Sequence, residues 1–155
     1  MKSEVRITAK RLQITRIFDA PRALVFSYWK QPDKLEQWSG CKDATRCKIE
    51  MDFRAGGSFT QKMHIAGAGE FCITGQYDEI FEPERIVYHA QLGPATVKVA
   101  VEFIEQGNQT KVIMTHDGFP DEFLCRTVSR GTSEGLEKLE SILSSQMGAG
   151  QAASA

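Results

Sequence analysis

The chain has 155 residues, 41% hydrophobic and 25% charged, with a formal net charge of −1. That balance fits one folded domain with one core and argues against disorder of the whole chain. It also argues against nucleic acid as a partner, because no Lys/Arg cluster is present to displace counterions from phosphates. The opening Met1 to Lys10 is charged and polar and lacks the apolar stretch of a secretory signal. No run approaches the ~18 apolar residues that cross a bilayer, so no membrane is expected and the expected compartment is cytoplasmic.

In chain order, Leu12 to Phe18 alternates and is rich in β-formers, which predicts a strand. Asp19 offers a capping carboxylate, and Pro21 suits the first turn of a helix running to Lys30, with Leu24, Val25, Tyr28 and Trp29 at helical spacing. Pro32 starts a second short helix carrying Leu35 and Trp38 on one face, with Gly40 after it. The period then changes. Thr45 to Phe53 and Ser58 to Ile65 predict strands joined through Gly56-Gly57, a pair that tolerates the positive φ of a tight hairpin. After a Gly67-Ala68-Gly69 turn, Glu70 to Phe81 predicts a long strand, in which Gly75 suggests a bulge or bend. Arg85 to Leu92, Thr96 to Glu105 and Thr110 to Asp117 follow, separated by Gly and Pro turns. Val97, Val99, Val101 and Phe103 share one face of the second of these. About seven strands joined by short turns imply an antiparallel sheet in an α+β fold, not a βαβ repeat.

The last helix is predicted from about Asp121 to Ser145, roughly 35 Å at ~1.5 Å per residue. Leu124, Val128, Leu136, Leu139, Ile142 and Leu143 form its apolar side, whose middle is small: Gly131, Thr132 and Gly135. Each glycine costs about 1 kcal/mol of helix propensity against alanine. Two on a buried face imply either a void beside the helix, or close helix–sheet packing or a kink. Residues 1–145 make the domain, and 146–155, a run of Gln, Gly, Ala and Ser with one Met, a flexible tail.

Six stretches carry a resemblance: Arg16 to Phe26, Gln31 to Trp38, Met51 to Gly57, Phe81 to Val87, Met114 to Asp121 and Gly135 to Leu139. Together, in this order from about Leu12 to Leu143, they resemble the AHSA1-like branch of the START/Bet v 1-like (SRPBCC) superfamily. The resemblance implies a helix-grip fold: a curved antiparallel sheet wrapped on a long C-terminal helix, with two short helices after strand one and a cavity between sheet and helix. It also implies binding of hydrophobic small molecules. Relatives include cyclases, aromatases, drug-sequestering proteins and an activator of the Hsp90 ATPase. The chain departs from the family at Ser39 and Thr132, where relatives usually carry tryptophan, and the lost bulk implies a roomier or wetter cavity.

Rigid apolar walls are expected from Phe26, Trp29, Trp38, Phe71, Tyr77, Phe119 and Phe123, joined by Met114, Val128, Thr132 and Gly135. The family places the second helix and the start of the last helix at the cavity mouth, which singles out Trp38 and Phe123. Tyr77 and His64 are the candidate polar contacts, although His64 is read as more often exposed. His116 and Asp117, adjacent on a strand, point to opposite faces and cannot form a catalytic pair. His116 is therefore read as a strand-end residue hydrogen-bonded to backbone. No nucleophile elbow, phosphate loop or HExxH occurs, so no catalytic residue, cofactor or metal is assigned. Cys41, Cys47, Cys72 and Cys125 form no CxxC pair and read as reduced thiols rather than a Cys41–Cys47 disulfide or a metal site.

The first functional expectation is binding of a hydrophobic or amphipathic small molecule. The second is a cavity enzyme of cyclase/aromatase or hydratase type, which needs an inward group with a displaced pKa. The third is a protein partner, either a chaperone of the Hsp90 kind or a second copy of the chain in a homodimer through open sheet edges.

Overall fold

The computed structural model describes residues 3–8, 10–39 and 44–154. The elements in chain order are β1 (Glu4–Thr8), β2 (Arg11–Phe18), α1 (Arg22–Lys30), α2 (Pro32–Trp38), β3 (Ala44–Met51), β4 (Ser58–Ile65), β5 (Gly69–Phe81), β6 (Arg85–Leu92), β7 (Ala95–Gln106), β8 (Gln109–Asp117) and α3 (Glu122–Ser154). The strands form one antiparallel sheet in the order β1-β2-β8-β7-β6-β5-β4-β3. The chain thus crosses from β2 at one side, through α1 and α2, to β3 at the far edge, then returns by hairpins until β8 pairs with β2. The sheet curves around α3 in the helix-grip manner that the resemblance implied.

Period-2 patterning builds the inner face. On β2, Leu12, Ile14 and Phe18 are buried, as are Val97, Val99, Val101 and Phe103 on β7. Arg16 occupies an inward position on β2 and is also buried. It bonds Glu140 of α3 at 2.5 Å and Ser3 at 2.8 Å, so the helix is tied to the sheet by a charge pair as well as by apolar packing. Leu136, Leu139 and Leu143 join this core, with Phe26 packed edge-on to Phe103. At the start of α3 the Asp121 carboxylate accepts from Leu124 N–H at 2.8 Å, a side-chain cap on an otherwise orphan donor.

Several local expectations are corrected. The sheet has an eighth strand, β1, inside the polar opening segment. Only Val5 and Ile7 alternate with charged residues there, too short a pattern to read as a strand. Pro21 is the N-cap of α1 rather than part of its first turn, and no side chain, Asp19 included, caps the helix. β3 stops at Met51, because Asp52 and Phe53 already enter the turn to β4. Gly75 lies in regular pairing, and the bulge falls between Tyr77 and Glu79. The reason for glycine at 75 is close approach: a Cβ there would stand 2.2 Å from the Phe59 ring. In the β3–β4 turn Gly56 takes the expected positive φ, and a Cβ on Gly57 would lie 2.0 Å from the Asp52 carbonyl. Helix α3 continues past Ser145 to Ser154. Gln146, expected to begin the tail, donates to the Tyr28 hydroxyl at 2.5 Å. Gly40 and Cys41 lie outside the described residues. Cys47, Cys72 and Cys125 are free thiols.

Candidate functional site

Between the concave sheet and the N-terminal half of α3 lies a cavity of about 320 Å³. That is the liquid share of about ten waters, within the range of small-molecule sites. Strand alternation decides which side chains reach it. From β4 these are Phe59, Gln61, Met63 and Ile65; from β6, Ile86, Tyr88, Ala90 and Leu92; from β8, Met114 and His116. The helix contributes Thr127, Val128, Gly131, Thr132 and Gly135, so the stripe of small residues faces open space. Ser39 and Thr132 are both in the lining.

Part of the cavity wall is an aromatic cluster. Trp29 and Trp38 pack at 4.7 Å between ring centroids, and Trp38 Nε1 donates to the Tyr28 carbonyl at 3.0 Å, which fixes the indole. Phe59 packs on Tyr77 at 5.2 Å and on Tyr88 at 5.4 Å. Tyr77 is held from behind by the β3–β4 turn: its N–H donates to Gly57 O, and its carbonyl accepts from Gly56 N. These contacts leave the cluster little rotamer freedom, so little ordering entropy remains to be lost when an occupant enters.

Of the sequence candidates, Trp29, Trp38, Tyr77, Met114, Val128, Thr132 and Gly135 line the cavity. The other five lie elsewhere. Phe26 is sealed in the core against Phe53 and Phe103. Phe119 is buried beneath the His116 ring, stacked at 6.2 Å. His64 falls between the inward Met63 and Ile65 and is exposed on the opposite face. Phe71 is 46% exposed near the start of β5, and Phe123 is 80% exposed at the start of α3.

His116 is the polar residue that the sequence reading passed over. Alternation does turn it away from Asp117, which ion-pairs with Arg11 at the surface instead. The same alternation turns the imidazole inward, where it is 4% exposed and lines the cavity. Its Nδ1 has no hydrogen-bond partner, which corrects the expectation of a backbone bond. Burial pushes its pKa down to about 4, so the ring is neutral near pH 7. Burial likewise pushes the Tyr88 hydroxyl up to about 12. It raises Tyr77 further, helped by the neighbouring Tyr88. Among the described residues no Asp, Glu, Lys or Arg lines the cavity. Among the described residues no cluster of His, Cys, Asp or Glu fits a metal ion, and no helix is long and apolar enough to cross a membrane.

Residues 19–144 match the family described as "Activator of Hsp90 ATPase homolog 1-like protein". The chain belongs to the AHSA1 family. Solved structures of similar fold include protein CV1439 from Chromobacterium violaceum, with 21% identity, a TM-score of 0.80, and 86% of this chain and 96% of that one covered. A protein from Arthrobacter aurescens has 19% identity and a TM-score of 0.82, covering 92% and 91%. One from Rhizobium leguminosarum has 25% identity and a TM-score of 0.74, covering 93% and 99%. Among curated proteins, none is a significant match. AHSA1 membership and these likenesses account for the helix-grip architecture. The cavity chemistry is read from this chain's own residues.

Proposed function

We propose that the protein binds a hydrophobic or amphipathic small molecule between the sheet and α3. The observation that carries this is the 320 Å³ cavity whose lining is predominantly apolar and, among the described residues, holds no charged side chain. Removing an apolar molecule from water contributes about 25 cal/mol per Å² of buried surface, and fixed aromatic walls keep the opposing entropy small. The cyclase or hydratase reading is less well supported. Its general acid or base should titrate near the working pH, whereas His116, Tyr77 and Tyr88 are all driven away from neutrality. Hsp90 activation, named in the family's description, concerns the surface of a partner and draws no support from this cavity.

The test is a titration with 1-aminoanthracene, an uncharged fluorescent probe, on the native chain and on Thr132→Trp. We expect saturable binding to the native chain and its loss in the variant, with an unchanged circular dichroism spectrum. Equal binding to both would move the site away from α3.

A further inference from the structure

The cavity contains a polar group whose hydrogen-bonding capacity the protein leaves unused, and this gives its occupant a chemical class. We propose that the ligand is an uncharged, largely apolar molecule bearing one acceptor oxygen, a ketone or a phenol, that receives a hydrogen bond from His116 Nε2. The inference rests on the small-molecule reading above and deepens it.

Three observations converge on it. The first is the absence of cationic side chains among the described residues of the lining. A carboxylate or phosphate entering the cavity would lose its water and gain no counter-charge, which costs far more than an apolar contact returns. An ammonium ligand meets the same objection, because no carboxylate of the described residues lines the cavity either. The second is the position of His116 on β8. Its strand partners are Leu12 and Val99, both apolar, and Phe119 covers one ring face. None of these accepts a hydrogen bond from the ring. The third is the partition between its two nitrogens. Nδ1 is fully buried without a partner. A proton there would be an orphan donor, the rarest kind of buried polar group, whereas a bare lone pair is better tolerated. The favoured neutral tautomer therefore carries its proton on Nε2, the nitrogen left open to an occupant. Such an imidazole donates, so the complementary atom is an acceptor oxygen. The lining also holds Ser39, Gln61, Thr127 and Thr132, of which Thr127 donates to the Phe123 carbonyl at 2.9 Å and Gln61 to Cys47 Sγ at 3.6 Å. The hydroxyls of Tyr77 and Tyr88 belong to rings packed on Phe59 and on each other, where the apolar body of the ligand would rest.

Three probes of nearly equal shape separate the alternatives: 2-acetylnaphthalene (a ketone), 2-isopropenylnaphthalene (the same outline with CH2 for oxygen) and 2-naphthoate (the same outline with a charge). Each is measured by displacement of 1-aminoanthracene at pH 7.5 from the native chain, His116→Leu and His116→Met. On the native chain we expect 2-naphthoate to be weaker than the ketone by about a hundredfold, the scale of an unpaired buried charge. In both variants the ketone should weaken by about tenfold while the hydrocarbon changes little, as for the loss of one hydrogen bond. In the native chain, imidazole ¹⁵N shifts should identify the Nε2–H tautomer and move at Nε2 on addition of the ketone. Binding of 2-naphthoate as tight as that of the ketone would overturn the uncharged class. A ketone-to-hydrocarbon ratio unchanged by both substitutions, or a protonated Nδ1, would overturn the role of His116. Either result would leave cavity binding intact provided 1-aminoanthracene still binds and Thr132→Trp still abolishes it. Failure of that control would remove both readings together.

Discussion

The two halves of α3 face the same curved sheet and end differently. Toward the C-terminus, Leu136, Leu139 and Leu143 are almost wholly buried in the core, on the helix that packs against β2 and α2. Toward the N-terminus, Val128, Gly131, Thr132 and Gly135 stop short of β6 and β8 and leave the cavity. The backbone is a continuous helix through both. The difference is therefore one of side-chain volume: where the helix carries leucine the layers interlock, and where it carries glycine and threonine they do not. A core packs at nearly crystalline density only if each layer supplies its share of atoms. Here one face withholds them over a limited stretch, while Arg16 and Glu140 hold the helix in place beside it.

The sharpest way to break this comparison is to hollow the filled half. Leu139→Ala removes a fully buried side chain from close packing and should cost about 2–5 kcal/mol in urea denaturation, with 1-aminoanthracene binding retained. If stability is barely altered, the C-terminal half does not anchor the helix to the sheet.

Next in size is the pH response of the open half. His116 titrates at about 4 in the folded chain against an ordinary 6.5. Between these values the unfolded chain binds the proton that the folded chain refuses. Stability is thus full above pH ~6.5, falls as pH drops toward 4, and gains no further slope from this group below that. The shift corresponds to roughly 3 kcal/mol across the window. Denaturation series from pH 7.5 to 4.5 should show this slope in the native chain and a flatter one in His116→Leu. Parallel slopes would mean that the imidazole is more solvated than its burial indicates.

Much of this architecture was legible in the sequence because it rests on periodicity. The inward valines of β7, the hairpin glycines and the apolar side of α3 are local signals that the fold preserves. The candidate site was legible only in part, for identifiable reasons. Phe26 and Phe119 carry the chemistry of cavity walls, yet lie one layer too deep, a distinction of depth that no local pattern encodes. His64 and His116 are both strand histidines, and only the register of each strand against the core decides which faces inward. The alternation that removed Asp117 as a partner for His116 also implied an inward imidazole. The signal was present, and burial at the strand end could not be known before β2, β7 and Phe119 were in place around it. β1 was missed because two apolar residues make no pattern until β2 pairs with them.

The smallest expected effect discriminates most finely between a void and tight packing. Gly131 sits mid-helix and lines the cavity. Glycine there forfeits about 1 kcal/mol of helix propensity relative to alanine. In a closely packed helix–sheet contact an added methyl would collide, and overpacking of that kind typically costs about 1–3 kcal/mol. Beside open space the methyl meets little and the propensity gain survives. Gly131→Ala should therefore stabilise the chain by roughly 0.5–1 kcal/mol in urea denaturation. Destabilisation would place sheet atoms within reach of the helix backbone and bring back the close-packing explanation of the two glycines. Stabilisation would show that the sequence keeps a costly residue where the fold does not require one. The reason for the glycine would then lie in what the cavity holds.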